Sequence, residues 1–98
     1  MDYKIIFSEP SIEDLHNVVH FIARDNPQAA TRFGHDLIQA VRHLASFPRM
    51  GRVVPEKGDE DIREIIFKPY RIFYRVKEDV RTVEIIRFWH AARGEPEI

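Results

Sequence analysis

The spacing of apolar residues divides the chain into a helical half and a strand-forming half. A short apolar run at 4–7 predicts a first strand. Apolar positions then recur every three or four residues, which predicts two helices, one ending near Arg24 and the other near Phe47. Beyond residue 61 the apolar residues come instead in β-branched and aromatic runs of strand length, at 62–67, 71–77 and 82–89. The predicted order is strand, helix, helix, strand, strand, strand.

Capping and helix-breaking residues set the predicted helix boundaries. Ser11, with Asp14 three residues later, is typical of a helix start, and Pro10 is expected to lie outside that helix. In the short connector that follows, Asn26 is the predicted N-cap and Pro27 the first residue of the second helix. So short a connector predicts an antiparallel helical hairpin. The predicted buried positions are Ile12, Leu15, Val19 and Ile22 in the first helix, and Ala30, Phe33, Leu37, Ala40, Val41 and Leu44 in the second.

The connections between the last three strands predict an antiparallel meander. The first two strands are separated by Lys68-Pro69-Tyr70, and the last two are joined across Glu78-Asp79. The first strand is expected in the same sheet, because alone it could not satisfy its backbone hydrogen-bonding groups. The predicted fold class is therefore α+β, a helical hairpin packed on a twisted sheet, in a single domain spanning 1–98.

Charge is distributed unevenly along the chain. The 98 residues contain 15 Lys and Arg against 16 Asp and Glu, a net charge of -1 that excludes a histone-like polycation and a disordered polyanion. Residues 63–93, however, contain 8 basic and 4 acidic side chains, whereas residues 1–62 and 94–98 are both net acidic. An anionic partner is therefore expected to bind the C-terminal third.

Several classes of protein are disfavoured by what the sequence lacks. There is no Cys, which excludes disulfide scaffolds and thiol-based sites. No signal peptide or membrane-spanning run is found, so we predict a cytoplasmic protein without a membrane partner. His16 and His20 lie four residues apart after Glu13, but no further ligand is apparent, so we predict no metal site. No glycine-rich phosphate loop is present, and no cofactor is predicted.

Two of the predicted strands combine arginines with aromatic residues. Arg71, Phe73 and Arg75 alternate along one of them, and Arg87 shares a face with Trp89 on the last. Guanidinium groups beside aromatic rings suit phosphate binding and base stacking. The alternative is that these arginines are solvated strand charges paired with neighbouring acids, namely Glu64, Glu78 and Glu84.

Residues near the end of the last strand could carry acid–base chemistry. His90 could act as a general base, with Arg93 stabilising charge that develops on a phosphate. The alternative is a half-buried histidine that packs against the helices. The Tyr70 hydroxyl would point toward the same end of the sheet, or it could simply hydrogen-bond a loop.

Several short sequence elements occur in an order and spacing typical of one group of proteins. The chain resembles the RelE/ParE superfamily of bacterial toxins, from toxin–antitoxin and plasmid-stabilisation operons, over nearly its whole length. The matching pieces are Ser8-Glu9-Pro10, Asp14-Leu15, Asp25-Asn26-Pro27, Phe47-Pro48-Arg49-Met50-Gly51-Arg52, Ile62-Arg63-Glu64, Tyr70-Arg71-Ile72-Phe73-Tyr74-Arg75, and His90 with Arg93. The resemblance implies the same strand–hairpin–meander fold and a cognate antitoxin that neutralises the toxin. It also implies that any contact with operator DNA occurs only through the antitoxin complex.

The superfamily divides by target, and each branch implies a different role for these side chains. RelE-like members cleave messenger RNA in the ribosomal A site, in which case the catalytic residues here would be Arg63, Arg71, His90 and Arg93. ParE-like members inhibit DNA gyrase and have no established hydrolytic site. The residues predicted to contact a target are Tyr70, Arg75, Arg87 and Trp89.

Departures from the nuclease pattern favour the ParE-like branch. Ile65 stands where the nuclease branch places a second basic residue, and Ala91 stands where a terminal His-Tyr pair would need tyrosine. The near-neutral charge also disfavours an RNA-binding enzyme, because phosphate contacts dominate RNA affinity. We therefore predict a growth-arresting toxin that inhibits gyrase. The alternatives are a ribosome-dependent mRNA interferase and a non-toxic homologue that only binds the antitoxin.

Overall fold

The computed structural model describes residues 2–98. The chain forms one five-stranded sheet covered by a helical hairpin. Its elements are β1 (Lys4–Phe7), α1 (Glu9–Ala23), α2 (Pro27–Ser46), β2 (Arg52–Val53), β3 (Ile62–Phe67), β4 (Tyr70–Lys77) and β5 (Thr82–His90), with short 3₁₀ turns at Glu78–Val80 and Ala91–Arg93. The strand order is β1-β5-β4-β3-β2, antiparallel throughout except that β1 runs parallel to β5. This confirms the predicted α+β fold. β2 was not predicted, because two residues are too few to show an alternating pattern.

The first helix begins earlier than its capping residues suggest. Ser8 is the N-cap, since its hydroxyl oxygen accepts a hydrogen bond from the Ser11 N–H at 3.1 Å. Ser11 is buried inside the helix, and Pro10 lies in the first turn. The predicted start at Ser11 was therefore wrong, because a proline in the first turn removes an N–H that has no helical acceptor in any case. The predicted cap of α2 is confirmed, with the Asn26 side chain accepting from the Ala29 N–H at 3.0 Å.

The helical hairpin packs against one face of the sheet to form the main core. Leu37, Val41 and Leu44 of α2 are buried, as predicted. Ile12 of α1 is 55% exposed, so its predicted burial was wrong: it lies at the border of the apolar stripe of α1. None of the helices within residues 2–98 is long and apolar enough to cross a bilayer. The sheet contributes to this core Ile72, Tyr74, Val76, Val83, Ile85 and Phe88.

A bulge in β5 changes which side chains face the helices. Phe73 pairs with Arg87, but the next residue, Tyr74, pairs with Ile85, so that Ile86 is an extra residue on β5. Without it, the alternation that buries Ile85 against the helices would place Arg87 there as well. The extra residue instead turns Arg87 to the opposite side of the sheet, as bulges commonly re-aim side chains.

The sheet face away from the helices is lined by Glu64, Arg71, Phe73, Arg75, Arg87 and Trp89, and is called the open face below. It has no helix on it, yet Phe73 is fully buried and Trp89 is 2% exposed. These two rings form a second apolar cluster with Val54 and Ile62. Side chains and loops rather than helices therefore cover this face.

Gly51 lies where β2 approaches β3 and β4. Its N–H donates to the Tyr74 hydroxyl at 3.0 Å, and its carbonyl accepts from the Arg63 guanidinium at 2.9 Å. A Cβ at this position would lie 2.4 Å from the Glu64 carbonyl oxygen and 2.6 Å from the Tyr74 hydroxyl. The backbone oxygen cannot move aside without disturbing the pairing of β2 with β3, so only glycine fits here.

We predict that Gly51→Ala lowers the free energy of unfolding by about 3 kcal/mol, because the added methyl must displace a strand. Urea unfolding followed by circular dichroism would measure this change. Met50→Ala is the matched control: its side chain is 56% exposed, and we expect a change within about 0.5 kcal/mol. Equal stability of the two variants would contradict the close packing described for Gly51.

Candidate functional site

A buried carboxylate organises one half of the open face. Glu64 is fully buried, and Arg71 binds it with two hydrogen bonds, Nε to Oε1 at 2.6 Å and Nη2 to Oε2 at 3.0 Å. Arg52, on the neighbouring edge strand, donates its Nε–H to Glu64 Oε2 at 2.9 Å. Two guanidinium groups therefore compensate the charge of one buried carboxylate, as a buried acid requires.

Arg71 is held from the other side by a second carboxylate. Both of its terminal nitrogens donate to Glu56, each at 3.0 Å, so the guanidinium lies between two acids. The Arg71 side chain is 13% exposed, and its hydrogen bonds with Glu64 and Glu56 raise its pKa far above the ordinary value. Arg71 in turn lowers the pKa of Glu56. Arg71 thus makes four hydrogen bonds to internal carboxylates.

Asp14 of α1 binds the exposed edge of β5. β1 ends beside Ile85, so beyond this point β5 has no strand on that side. The Asp14 carboxylate takes the place of a strand there, accepting from the Phe88 N–H at 3.1 Å. It also accepts two hydrogen bonds from Arg87, at 2.6 and 2.9 Å, and these raise the pKa of that arginine. Asp14 therefore fixes α1 against β5 and positions Arg87.

Trp89 lies between two arginines. The Arg87 guanidinium carbon is 5.0 Å from the centre of the Trp89 ring, and that of Arg93 is 3.9 Å from it. Both distances fall within the range of cation–π attraction. Arg93 is exposed, whereas the side chain of Arg87 is only 19% exposed. Of the two, Arg93 is the cation more accessible to a partner.

A cleft between α1 and the end of the sheet contains His90 and Tyr70. Their rings meet edge to face, with the ring centres 5.3 Å apart. His90 Nδ1 accepts from the Ala92 N–H at 3.0 Å. In a neutral ring this leaves the proton on Nε2, which therefore donates and cannot act as a base in this arrangement. Burial raises the pKa of the Tyr70 hydroxyl, so the phenol stays protonated at neutral pH.

The remaining predicted site residues lie elsewhere. Arg63 donates to the carbonyls of Glu60, Arg49 and Gly51, and so holds the loops on both sides of β2. Arg75 is exposed on the open face, opposite Glu84 of β5. The structure thus brings together Tyr70, His90 and Arg93 in one cleft, with Arg87 and Trp89 beside them, but places Arg63, Arg71 and Arg75 outside it.

The histidines of α1 form no cluster of ligands. His16 and His20 are exposed and stack with ring centres 6.4 Å apart. Within residues 2–98, no three histidine or acidic side chains come close enough together to hold a metal ion.

Comparison with known proteins shows which family this chain belongs to. Residues 5–94 match the family described as the ParE toxin of type II toxin–antitoxin systems, parDE. The chain is also similar to a curated protein of Sinorhizobium fredii named "Putative toxin Y4kP", with 32% identity over 90 residues that cover 90% of this chain and 88% of the relative. The chain belongs to the ParE toxin family.

Solved structures share the fold of this ParE-family toxin. A chain from the chromosomal ParDE system of P. aeruginosa superimposes with a TM-score of 0.73 at 19% identity, covering 90% of this chain and 95% of that one. A mutant of the E. coli toxin RelE in the free state superimposes with a TM-score of 0.71 at 18% identity, covering 96% of this chain and 88% of that one. The RelE/ParE resemblance derived from the sequence is therefore confirmed.

Sequence reasoning missed two of the three acids that hold Arg71 and Arg87 in this toxin. Glu64 was considered as a partner for the strand arginines, and the structure pairs it with Arg71. Glu56 and Asp14 were not considered, because they lie 15 and 73 residues from the arginines they bind. The position of Asp14 just after the strand-ending Ser8-Glu9-Pro10 was a signal for one of them, since it places a carboxylate near the start of α1.

We predict that Glu64→Gln lowers the free energy of unfolding by about 3 kcal/mol, because it removes the buried carboxylate that Arg71 and Arg52 share and leaves Arg71 with Glu56 alone. Glu56→Gln, at the rim of the same network, should lower the free energy of unfolding by under about 1 kcal/mol. Chemical unfolding of both variants would measure the difference. A larger loss for Glu56→Gln would mean that the rim contact, and not the buried one, fixes Arg71.

We also predict that Asp14→Ala lowers the free energy of unfolding by about 3 kcal/mol. The Phe88 N–H and the Arg87 guanidinium both lose their acceptor, and both lie in a mostly buried place. Glu13→Ala removes an exposed charge from the same helix turn and should change stability by under about 0.5 kcal/mol. Thermal unfolding of the pair would test this. Similar melting temperatures would show that Asp14 does not fix α1 to β5.

Proposed function

We propose that this toxin arrests growth by binding and inhibiting a protein target, DNA gyrase, and that a cognate antitoxin neutralises it. The observation that carries the proposal is the dispersal of the residues that RNA cleavage would require. Arg63 and Arg71 are engaged by loop carbonyls and carboxylates, while His90 and Arg93 lie at a separate cleft. A nuclease needs its charged groups around one scissile phosphate.

The chemistry of the cleft also favours binding over catalysis. Neither the His90 ring in its observed hydrogen-bonding state nor the protonated Tyr70 hydroxyl can remove a proton from a ribose hydroxyl. The accessible features are instead those of a protein interface, namely an exposed arginine stacked on tryptophan beside an exposed Phe21.

The antitoxin is proposed to lie over the helical hairpin, along α1. A shallow apolar groove there is formed by Ile12, Leu15, Val19 and Ala23 of α1. An amphipathic helix from a partner could place its apolar face in such a groove. His16 and His20 border the groove and would contact the polar side of that helix.

The proposed function is tested by induced expression followed by two measurements in the same cells, gyrase-dependent DNA breaks and transcript integrity. We expect growth arrest with DNA breaks and intact transcripts. With purified protein, we expect inhibition of DNA supercoiling by gyrase. Arg93→Glu should weaken that inhibition about ten-fold, since it reverses an exposed interface charge. Arg32→Glu, an exposed arginine of α2, is the matched control and should inhibit like the parent chain.

Each contrary outcome favours one of the alternatives. Ribosome-dependent cleavage of messenger RNA within codons, with gyrase unaffected, would overturn the proposal in favour of an mRNA interferase. Absence of growth arrest from a folded protein would overturn it in favour of a non-toxic homologue that only binds the antitoxin.

A further inference from the structure

His16 and His20 lie on successive turns of α1, a spacing that puts two side chains on the same side of a helix. Both are exposed, and their ring planes are almost parallel, with an angle of 4° between them. Within residues 2–98, the histidine rings that bond or pair with another group are those of His35 and His90. The ring nitrogens of the α1 pair are therefore available to a ligand.

The two rings are close to the arrangement of a chelate. Imidazole nitrogens bind zinc, nickel and copper ions. With nitrogens about 2.0 Å from the ion, two of them on adjacent coordination positions are about 3 Å apart, and their ring centres are about 5 Å apart. The observed ring centres are 6.4 Å apart, so the rings need to approach by roughly 1.5 Å. Exposed side chains change rotamer readily, so this approach is open to them.

The charge around the pair favours a cation. α1 contains Glu9, Glu13 and Asp14 but no Lys or Arg, and both glutamates are exposed. His20 also lies in the last turn, where the helix dipole is negative. The nearest cation along the chain is Arg24, which follows the end of the helix and is itself exposed to solvent. A bound ion would thus lie on an acidic helix near its negative end.

The protein supplies a pair of ligands at this point and not a closed metal centre. Within residues 2–98 no third histidine or acidic side chain joins the pair, which is why the sequence predicted no metal site. Two imidazoles can nevertheless chelate an ion that keeps water on its remaining positions, as zinc does at open sites. The site expected here is therefore reversible and open to solvent.

We propose that His16 and His20 form a binding site for a divalent transition-metal ion of the zinc and nickel class, held by one nitrogen of each ring and otherwise by water. Both rings border the apolar groove along α1, so a bound ion adds positive charge beside that groove. The proposal stands on the side chains of α1 and does not rest on the function proposed above.

Calorimetric titration of the full-length chain, prepared without an affinity tag, with nickel chloride tests this site. We expect one ion to bind per chain. His16→Ala and His20→Ala should each lower the affinity at least about ten-fold, because the second imidazole no longer binds intramolecularly. His35→Ala is the matched control: it removes an exposed histidine that has no other histidine four residues away, and should leave the affinity unchanged.

Exchanging residues 20 and 21 separates the spacing of the histidines from their number. His20→Phe combined with Phe21→His keeps all five histidines but puts the second ring five residues from His16, on a different side of the helix. Its affinity should fall to that of His20→Ala. In the parent chain, paramagnetic nickel should broaden the NMR signals of the His16 and His20 rings at concentrations that leave the other histidine rings unaffected.

Three results would overturn the proposal. The first is parent-like affinity in His16→Ala and His20→Ala, with circular dichroism showing both variants folded. The second is parent-like affinity in the exchanged variant. The third is equal, weak binding by all variants, which would show adventitious contact of nickel with surface histidines only. If the exchanged variant does not fold, the two alanine variants decide the question. Gyrase inhibition enters none of these measurements, so failure here and failure of the proposed function are distinguishable.

Discussion

A sheet with helices on one face only must cover its other face by different means, and most of this structure follows from that constraint. The helical hairpin buries the side of β4 and β5 that carries Ile72 and Val83. The opposite side carries Phe73 and Trp89, which are as well buried as the main core. Arginine side chains, the segment around Val54 and residues 94–98 provide the cover. The face that bears the arginines is therefore part of the packing of the protein.

Arginines placed over aromatic rings still need acceptors for their hydrogen bonds, and the chain supplies carboxylates from distant segments. Glu64 and Glu56 bind Arg71, and Asp14 binds Arg87. This internal pairing explains how a chain with a net charge of -1 can concentrate basic residues in its C-terminal third. The excess of positive charge there is largely compensated within the fold, and Arg93 and Arg75 remain exposed.

The repeating patterns of the sequence were sufficient for the fold class and for the order of the main elements. Alternation and helical spacing predicted every strand but β2, and the Asn26 cap was found where predicted. The errors arose where a local signal had two physical interpretations. Ser8 and Ser11 can both cap a helix, and Pro10 is compatible with either choice. Ile12 fits the apolar stripe of α1, but a helix packed on one side leaves the border of its stripe in solvent.

The sequence by itself determined which residues form elements, which faces are apolar and which superfamily the chain resembles, because those properties depend on local spacing. Only the tertiary structure decided what the functional candidates do. The bulge at Ile86 turns Arg87 toward Trp89, and Asp14 binds it across 73 residues. A buried charge pairs with whichever opposite charge the fold brings close to it. The pairing of Glu64 with Arg71 therefore follows from strand register, which residue spacing alone does not specify.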